Sequence, residues 1–243
     1  MTAEVKQRSK LWLYLMENIK EDILLECELV LLSFATGIQD AASWMDYGCF
    51  ASNQTGNMLF LAIGAAQPKA IEYSMSHVGM SLWAFVVGGL VMGQIGNFFG
   101  ARKRLWLITS SALQTALVYA AAAIQHASST HQNGPAALSV IFLLAFSSGA
   151  QVALGRSLKV TDITTAMATA AFVDIAIDPR LLGLRNRQRN RRVMFLLMLM
   201  AGCIAGTFVQ TAVGSSFTIL LCAIGKTIVT FTFLLNRPIK EGG

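Results

Sequence analysis

The chain has 243 residues, of which 54% are hydrophobic and only 13% are charged. Soluble domains carry about 25% charged residues, and here the apolar residues fall in long runs, so one large soluble core does not explain the composition. The net charge of +6 comes from Lys and Arg between the apolar runs. There they orient membrane spans, and no nucleic-acid partner is expected. We therefore predict an all-α polytopic integral membrane protein that lies in the lipid bilayer.

Residues 1–26 precede the first apolar run. The apolar patch at 11–16 is too short for a secretory signal and is followed by acidic residues. Residues 9–25 are compatible with an interfacial helix that dips Trp12 into the membrane surface. A disordered cytoplasmic tail is the alternative.

Six apolar runs are long enough to cross a bilayer core, which takes about 20 helical residues. They cover 27–45, 78–99, 105–125, 135–154, 193–213 and 216–235. Two further apolar pieces, at 55–66 and 163–177, are shorter and more polar. We predict a single transmembrane domain over 27–236, followed by a cytoplasmic tail at 237–243.

Basic residues predict the topology, because cytoplasmic loops are rich in Lys and Arg. The basic segments are Arg102–Arg104, Arg156 with Lys159, Arg180–Arg192, and Arg237 with Lys240. The linkers 126–134 and 214–216 carry no Lys or Arg and should lie outside. With both termini cytoplasmic, each of the two short pieces begins and ends on one side. We predict that both are re-entrant half-helices, one entering from each side.

The two halves resemble each other in sequence. Segment 37–41 (GIQDA) recurs at 149–153 (GAQVA), a shift of 112, and the GxxxG spacing at 89–93 recurs at 202–206, a shift of 113. These matches predict one repeat at about 27–125 and another at about 135–235. Three spans in each half would invert the second repeat, and such transporters and channels place their site where broken helices meet near the midplane.

Asp40 lies near the middle of the first predicted span. A carboxylate there costs a few kcal/mol, so it should face the bundle interior and have a partner. It could relay a proton or cation or contact a polar substrate, or it could be a protonated, purely structural residue. Lys226 is the candidate partner in the last span, unless its side chain extends to the membrane surface.

Residues 52–57 (SNQTGN) place polar side chains at the start of the first short piece. Helix N-termini favour anionic or dipolar ligands, although plain N-capping is the alternative. The second short piece has a looser counterpart of this polar segment. The predicted pathway residues are Gln39, Asp40, Asn53, Thr55, Gly56, Asn57, Gln151, Asp162, Thr164, Thr165 and Lys226.

No sequence feature indicates catalysis, a metal or a cofactor. The four cysteines have no CxxC spacing and are predicted to be buried free thiols, and GxSxG, HExxH and P-loop motifs are absent. We therefore do not expect an enzyme. The glycine spacings predict close helix packing within the monomer or between subunits of a homo-oligomer.

The pattern Gly37-x-x-Asp40-Ala41, with Phe50 and the segment 52–57, resembles the signature of the YoaK-like transmembrane family, whose function is unknown. The resemblance covers most of the chain. It implies a multi-span protein and singles out Asp40, Thr55, Gly56 and Asn57. The second half departs from the family pattern, since Val152 follows Gln151.

These features predict a small-solute transporter or channel with a polar midplane site for a small polar or ionic solute. The alternative is a non-transporting membrane scaffold or regulator whose polar residues only hold helices together. A polar cavity between the short segments would favour the first hypothesis, and a dry, fully paired interior the second.

Overall fold

The computed structural model describes residues 3–68, 72–128, 133–160, 162–183 and 185–239. These residues form nine helices and no β-strand. The helices are α1 (Ala3–Met16), α2 (Ile23–Tyr47), α3 (Gln54–Ala66), α4 (Met75–Phe99), α5 (Arg104–Ala127), α6 (Pro135–Ser157), α7 (Ala168–Ala176), α8 (Arg187–Ala212) and α9 (Ser215–Thr232). Parts of the predicted linker 126–134 and of the tail 237–243, including Lys240, lie outside the described residues.

Each of the six predicted apolar runs corresponds to a long helix, although α8 ends one residue and α9 three residues before the predicted runs do. Five of these helices, α4, α5, α6, α8 and α9, are long and apolar enough to cross a membrane. Helix α2 is equally long at 25 residues but carries Glu26, Glu28, Asp40 and Asp46. The predicted class, an α-helical membrane protein, agrees with this all-helical, largely apolar architecture.

Capping residues set where two of the long helices begin. The Asp22 carboxylate accepts the Leu25 N–H at 3.1 Å, so α2 begins four residues before the predicted apolar run. The Asn186 side chain accepts the Arg189 N–H at 3.1 Å and starts α8 in the arginine-rich segment. At the N-terminus, α1 ends at Met16, so the predicted single helix over 9–25 is wrong in its extent.

The long helices pack in corresponding pairs. Helix α2 packs against α8 and α9, helix α6 packs against α4 and α5, and α5 packs against α9. Each short helix packs against one long helix, α3 against α4 and α7 against α8. Buried apolar residues form two clusters, one toward each end of the bundle.

Glycines bring the backbones into contact at two crossings. A Cβ on Gly37 would lie 2.1 Å from the Leu199 carbonyl oxygen in α8, and one on Gly149 would lie 2.1 Å from the Phe85 oxygen in α4. The predicted close packing is confirmed for Gly202, where a Cβ would lie 2.0 Å from a backbone oxygen of α2. In α4 the contact glycine is Gly88 and not the predicted 89–93 pair, which has ordinary spacing.

The predicted cytoplasmic basic segments lie together at one end of the bundle. Arg102 Nη2 donates to the Leu158 oxygen at 2.6 Å, the Lys20 N–H donates to the Arg237 oxygen at 2.9 Å, and Arg191 pairs with Glu21 at 2.6 Å. At the opposite end Asp46 accepts hydrogen bonds from Gln125, Gln210 and Ser215.

An extended segment before α2 fastens the N-terminus to this basic end. Within it, the Ile19 N–H donates to the Arg102 oxygen at 3.0 Å, and Ile19 is fully buried. Arg104 is also fully buried and donates to the Tyr14 oxygen at 3.0 Å and the Glu17 carboxylate at 2.9 Å. The other terminal nitrogen of Arg104, Nη2, donates to the Asn236 backbone oxygen. The start of α5 thus contacts segments near both ends of the chain.

Candidate functional site

The chain folds back along α2 before α3 begins. The Ala51 N–H donates to Ser43 Oγ at 3.1 Å, and the Ser52 N–H donates to Asp40 Oδ1 at 2.8 Å. Asp40 is seven residues before the end of α2, so α3 starts roughly 10 Å inside the bundle. From there α3 returns along α4, with Asn57 bonded to Ser81. The start of α3 therefore lies inside the bundle, between α2 and α4.

Helix α7 also begins inside the bundle, but it extends toward the end where the basic residues lie. The segment before it passes α6, where a Cβ on Gly155 would lie 3.7 Å from Thr165 Cγ2. At the far end of α7, Asp174 lies 3.4 Å from Arg192 Nε, beside the start of α8. Helix α7 therefore starts inside the bundle and ends among the basic residues.

A cavity of about 750 Å³ lies where α3 and α7 begin. Neither helix has a side-chain bond from its N-cap residue, Asn53 or Met167. The long helices complete the wall with Asp40, Val152, Phe85, Leu199 and Cys203, and the short segments add Phe50, 52–55, 166–170, Val173 and Asp174. The wall thus combines helix N-termini, two carboxyl groups and apolar side chains.

Asp40 is the buried carboxyl group of this cavity, with 7% of its surface exposed. Oδ1 accepts the Ser52 N–H at 2.8 Å, and Oδ2 accepts the Ser52 hydroxyl at 2.5 Å. The prediction that Lys226 pairs with Asp40 is wrong, because the ion pairs among the described residues do not include it. Ser52 orients Asp40 instead and fixes the entry of α3.

Lys226 belongs to a separate, paired network in the core. Its ammonium donates to Gln151 Oε1 at 2.6 Å and to Ser147 Oγ at 3.2 Å. Gln151 Nε2 in turn donates to Thr36 Oγ1 at 2.9 Å, and Gln39 Nε2 donates to Ser148 Oγ at 2.6 Å. These bonds join α2, α6 and α9. Gln39, Gln151 and Lys226 do not contribute to the cavity wall.

The predicted residues of α3 divide into two groups. Asn53 and Thr55 are exposed to the cavity. Asn57 is fully buried: its Oδ1 accepts the Phe50 N–H at 3.0 Å and its Nδ2 donates to the Phe50 oxygen at 2.7 Å. Gly56 packs against the Phe50 ring, where a Cβ would lie at 3.4 Å. Asn57 and Gly56 therefore hold the loop and do not line the cavity.

The residues predicted in the second half do not line the cavity either. Asp162 lies 2.9 Å from Arg192 and 3.4 Å from Arg191 in ion pairs at the basic end. Thr164 Oγ1 accepts the Met167 N–H at 3.2 Å, and Thr165 is fully buried with a φ of 60°. These side chains shape the turn into α7, and the backbone that follows them reaches the cavity.

The comparison with protein families covers this whole arrangement. A family model described as "Protein of unknown function (DUF1275)" matches residues 29–232, from α2 to the end of α9. The chain belongs to the DUF1275 family. No curated protein and no solved structure matches it. The DUF1275 match includes both short helices and every residue of the cavity wall.

Sequence reasoning missed several wall residues of this DUF1275 protein. Thr169 lies on α7 and carried a weak polar signal in an apolar stretch, and Asp174 on the same helix was expected to be interfacial, with a place in the pathway as the alternative. Phe85 and Leu199 are apolar residues within long helices, and their side-chain type does not separate them from neighbours outside the cavity wall. Each lies three residues before a crossing glycine, Gly88 or Gly202, and that spacing is the signal that could have identified them.

Proposed function

We propose that this DUF1275 protein is a small-solute transporter or channel and that the cavity between α3 and α7 is its solute site. The observation that carries the proposal is the buried Asp40 carboxyl group in the wall of a 750 Å³ cavity where two short helices begin. Irregular backbone at membrane depth is tolerated where protein or a water-filled cavity surrounds it. A buried ionisable group there is costly and usually functional.

The membrane arrangement in this proposal has six spans, α2, α4, α5, α6, α8 and α9. Helices α3 and α7 are re-entrant from opposite sides, and both termini are cytoplasmic. Hydrogen bonds support the α3 part, since Ser43 and Asp40 lead the chain inward along α2 and Asn57 leads it back along α4. The clustering of the basic segments at one end supports a cytoplasmic location for that end.

An inverted repeat is part of the same proposal, as is membership of the YoaK-like group. The packing of α2 on α8 and α9 corresponds to that of α6 on α4 and α5. Gly37 meets α8 as Gly149 meets α4, at 2.1 Å from a backbone oxygen in each case. Gln39 donates to Ser148, and its counterpart Gln151 donates to Thr36, the counterpart of Ser148 at the same shift of 112.

The two halves differ where chemistry is expected. Val152 occupies the position in α6 that Asp40 occupies in α2, and both line the cavity. At this position the first half therefore supplies a carboxyl group and the second half an apolar side chain, while the second carboxyl group of the wall, Asp174, lies on α7. A site with N–H donors at two helix starts and one oriented carboxyl acceptor suits a small polar solute or ion.

One observation favours the alternative, a non-transporting scaffold or regulator. The network around Lys226, Gln151 and Gln39 is buried and extensively paired, as expected of polar residues that hold helices together. The cavity at Asp40 is what distinguishes the transporter hypothesis from this one.

Transport by Asp40→Asn tests the proposal. Asparagine keeps an oxygen for the Ser52 N–H and offers an N–H to the Ser52 hydroxyl oxygen, so insertion and folding should persist. The full chain would be reconstituted in liposomes and screened for uptake over panels of amino acids, polyols and small ions. We expect Asp40→Asn to abolish uptake of the transported solute. Glu72→Gln should retain it, because Glu72 is an exposed carboxylate outside the cavity. Normal uptake by Asp40→Asn, or no uptake of any solute by the native chain, would refute the proposal.

A further inference from the structure

A second cavity, of about 710 Å³, lies on the outer face of the bundle between α2 and α8. It shares no lining residue with the Asp40 cavity. Cys27 and Leu31 line it from α2, and Met194 and Met198 line it from α8. Ile23 at its edge is 73% exposed and Met194 is 49% exposed, so the groove opens to the surroundings of the protein. We refer to it as the α2–α8 groove.

The charged groups of the groove gather at one end. Arg185, Arg187 and Arg191 line that end, with Glu26 as the only carboxylate in the lining. Arg191 lies 2.7 Å from Glu26 and is held there by further ion pairs with Glu21 and Asp162. Arg187 also contacts Glu26, but its side chain is 59% exposed. Arg185 is exposed and forms no ion pair within the described ranges. Arg185, and the exposed part of the Arg187 side chain, can therefore reach an external anion.

The length of the groove fits one leaflet of a bilayer. From Arg187 to Met198 the α8 backbone rises roughly 16 Å, about half the thickness of a 30 Å hydrocarbon core. The side chains change along this path from arginine to methionine, which matches the change from head group to acyl chain. The arginine end is also the basic end of the bundle, which the positive-inside rule assigns to the cytoplasm, where the leaflet carries anionic lipids.

We propose that the α2–α8 groove binds one anionic phospholipid of the cytoplasmic leaflet. Its phosphate lies on Arg185 and Arg187, and an acyl chain runs over Cys27, Leu31, Met194 and Met198. The exposed apolar floor selects a lipid over a soluble anion, and the excess of arginine over glutamate selects an anionic lipid over a zwitterionic one. The proposal does not depend on transport.

Lipid binding to the purified full-length protein tests this site. Native mass spectrometry would count the retained lipid molecules. Thermal unfolding would then be measured with added phosphatidylglycerol, phosphatidylcholine or soluble glycerol phosphate. We expect one retained phosphatidylglycerol and a higher Tm with phosphatidylglycerol alone. Stabilisation by glycerol phosphate, or equally by phosphatidylcholine, would overturn the proposal.

Two variants and one control locate the site. Arg185→Ala with Arg187→Ala should weaken phosphatidylglycerol binding about thirtyfold. Cys27→Trp keeps every charge but fills the groove at an exposed position, and it should abolish the Tm shift. Arg156→Ala with Arg237→Ala removes the same charge from the same end at exposed positions outside the groove, and it should bind like the native chain. Equal loss in the control and the arginine variant, or an unchanged shift with Cys27→Trp, would contradict the assignment.

Discussion

Alanine at Gly88 should disrupt the crossing of α4 and α6. The new Cβ would lie 2.3 Å from the Phe146 carbonyl oxygen and 2.9 Å from its Cα. Because real Cβ atoms essentially never approach other heavy atoms within 3.0 Å, the oxygen contact must open from 2.3 Å to at least 3.0 Å. Both neighbouring atoms are backbone, so no side-chain rotation relieves the clash. The two helices must move apart.

The expected cost is that of overpacking a close-packed interface, roughly 1–3 kcal/mol of unfolding free energy. Gly93→Ala on the same helix is the matched control, since its Cβ would lie 3.6 Å from the Ala153 Cβ, an ordinary contact. Replacing a helical glycine by alanine without a clash gains about 0.5–1 kcal/mol. The two substitutions should therefore change stability in opposite directions.

Unfolding in mixed micelles of increasing SDS content, followed by tryptophan fluorescence, would measure both variants. Gly88→Ala should unfold at a lower SDS fraction than the native protein, and Gly93→Ala at the same or a higher one. Equal stability of the two variants would refute the close backbone contact. Phe85, three residues before Gly88, lines the Asp40 cavity, so Gly88→Ala should also reduce transport if the proposed site is correct.

Three further predictions follow from the same contacts. Asn57→Ala should lower the free energy of unfolding by roughly 1–3 kcal/mol, because it leaves the Phe50 N–H unpaired. Asn53→Ala, at an exposed position, should change it little, and equal effects of the two substitutions in thermal unfolding would contradict this division. Lys226→Met should leave the free energy of unfolding equal or higher, because it removes a buried ammonium that has no carboxylate partner among the described residues. A loss above about 2 kcal/mol would show that the two hydrogen bonds of Lys226 outweigh the cost of burying its charge. Cysteine introduced at Gln67 should react with an impermeant maleimide from outside the cell and cysteine at Asp178 only after permeabilisation; if both react from the same side, the opposed re-entrant arrangement is wrong.

The approximate positions of the long helices could be predicted from the sequence. The residues at which they begin and the register of their packing could not. Apolar run length locates each long helix, because a run that can cross a bilayer core takes about 20 helical residues. The starts of α2 and α8 depend on Asp22 and Asn186, whose capping bonds extend each helix into charged sequence. In α4 the GxxxG spacing pairs Gly89 with Gly202 at a shift of 113, but the packing on Phe146 selects Gly88, which lacks that spacing.

The candidate site could be predicted only in part. Asp40, Asn53 and Thr55 line the cavity as expected, because polar groups around a break in a span need water or protein partners. Gln151 and Asp162 carry the same kind of signal but are paired with other side chains. A sequence shows that a buried polar group needs a partner, not whether that partner is a residue or a cavity. Apolar wall residues such as Phe85 give no signal of this kind.

Burial of Arg104 has a practical consequence for preparing this protein. Its guanidinium lies 3.7 Å from the centre of the Tyr14 ring and bonds to Glu17, so a shortened form that starts after residue 17 would lose both neighbours. Leaving a buried cation without its counter-charge costs up to roughly 3–5 kcal/mol. Deletion of residues 1–17 would thus weaken the contacts that join the start of α5 to the segments near both chain termini. Affinity tags are better joined upstream of an intact first helix.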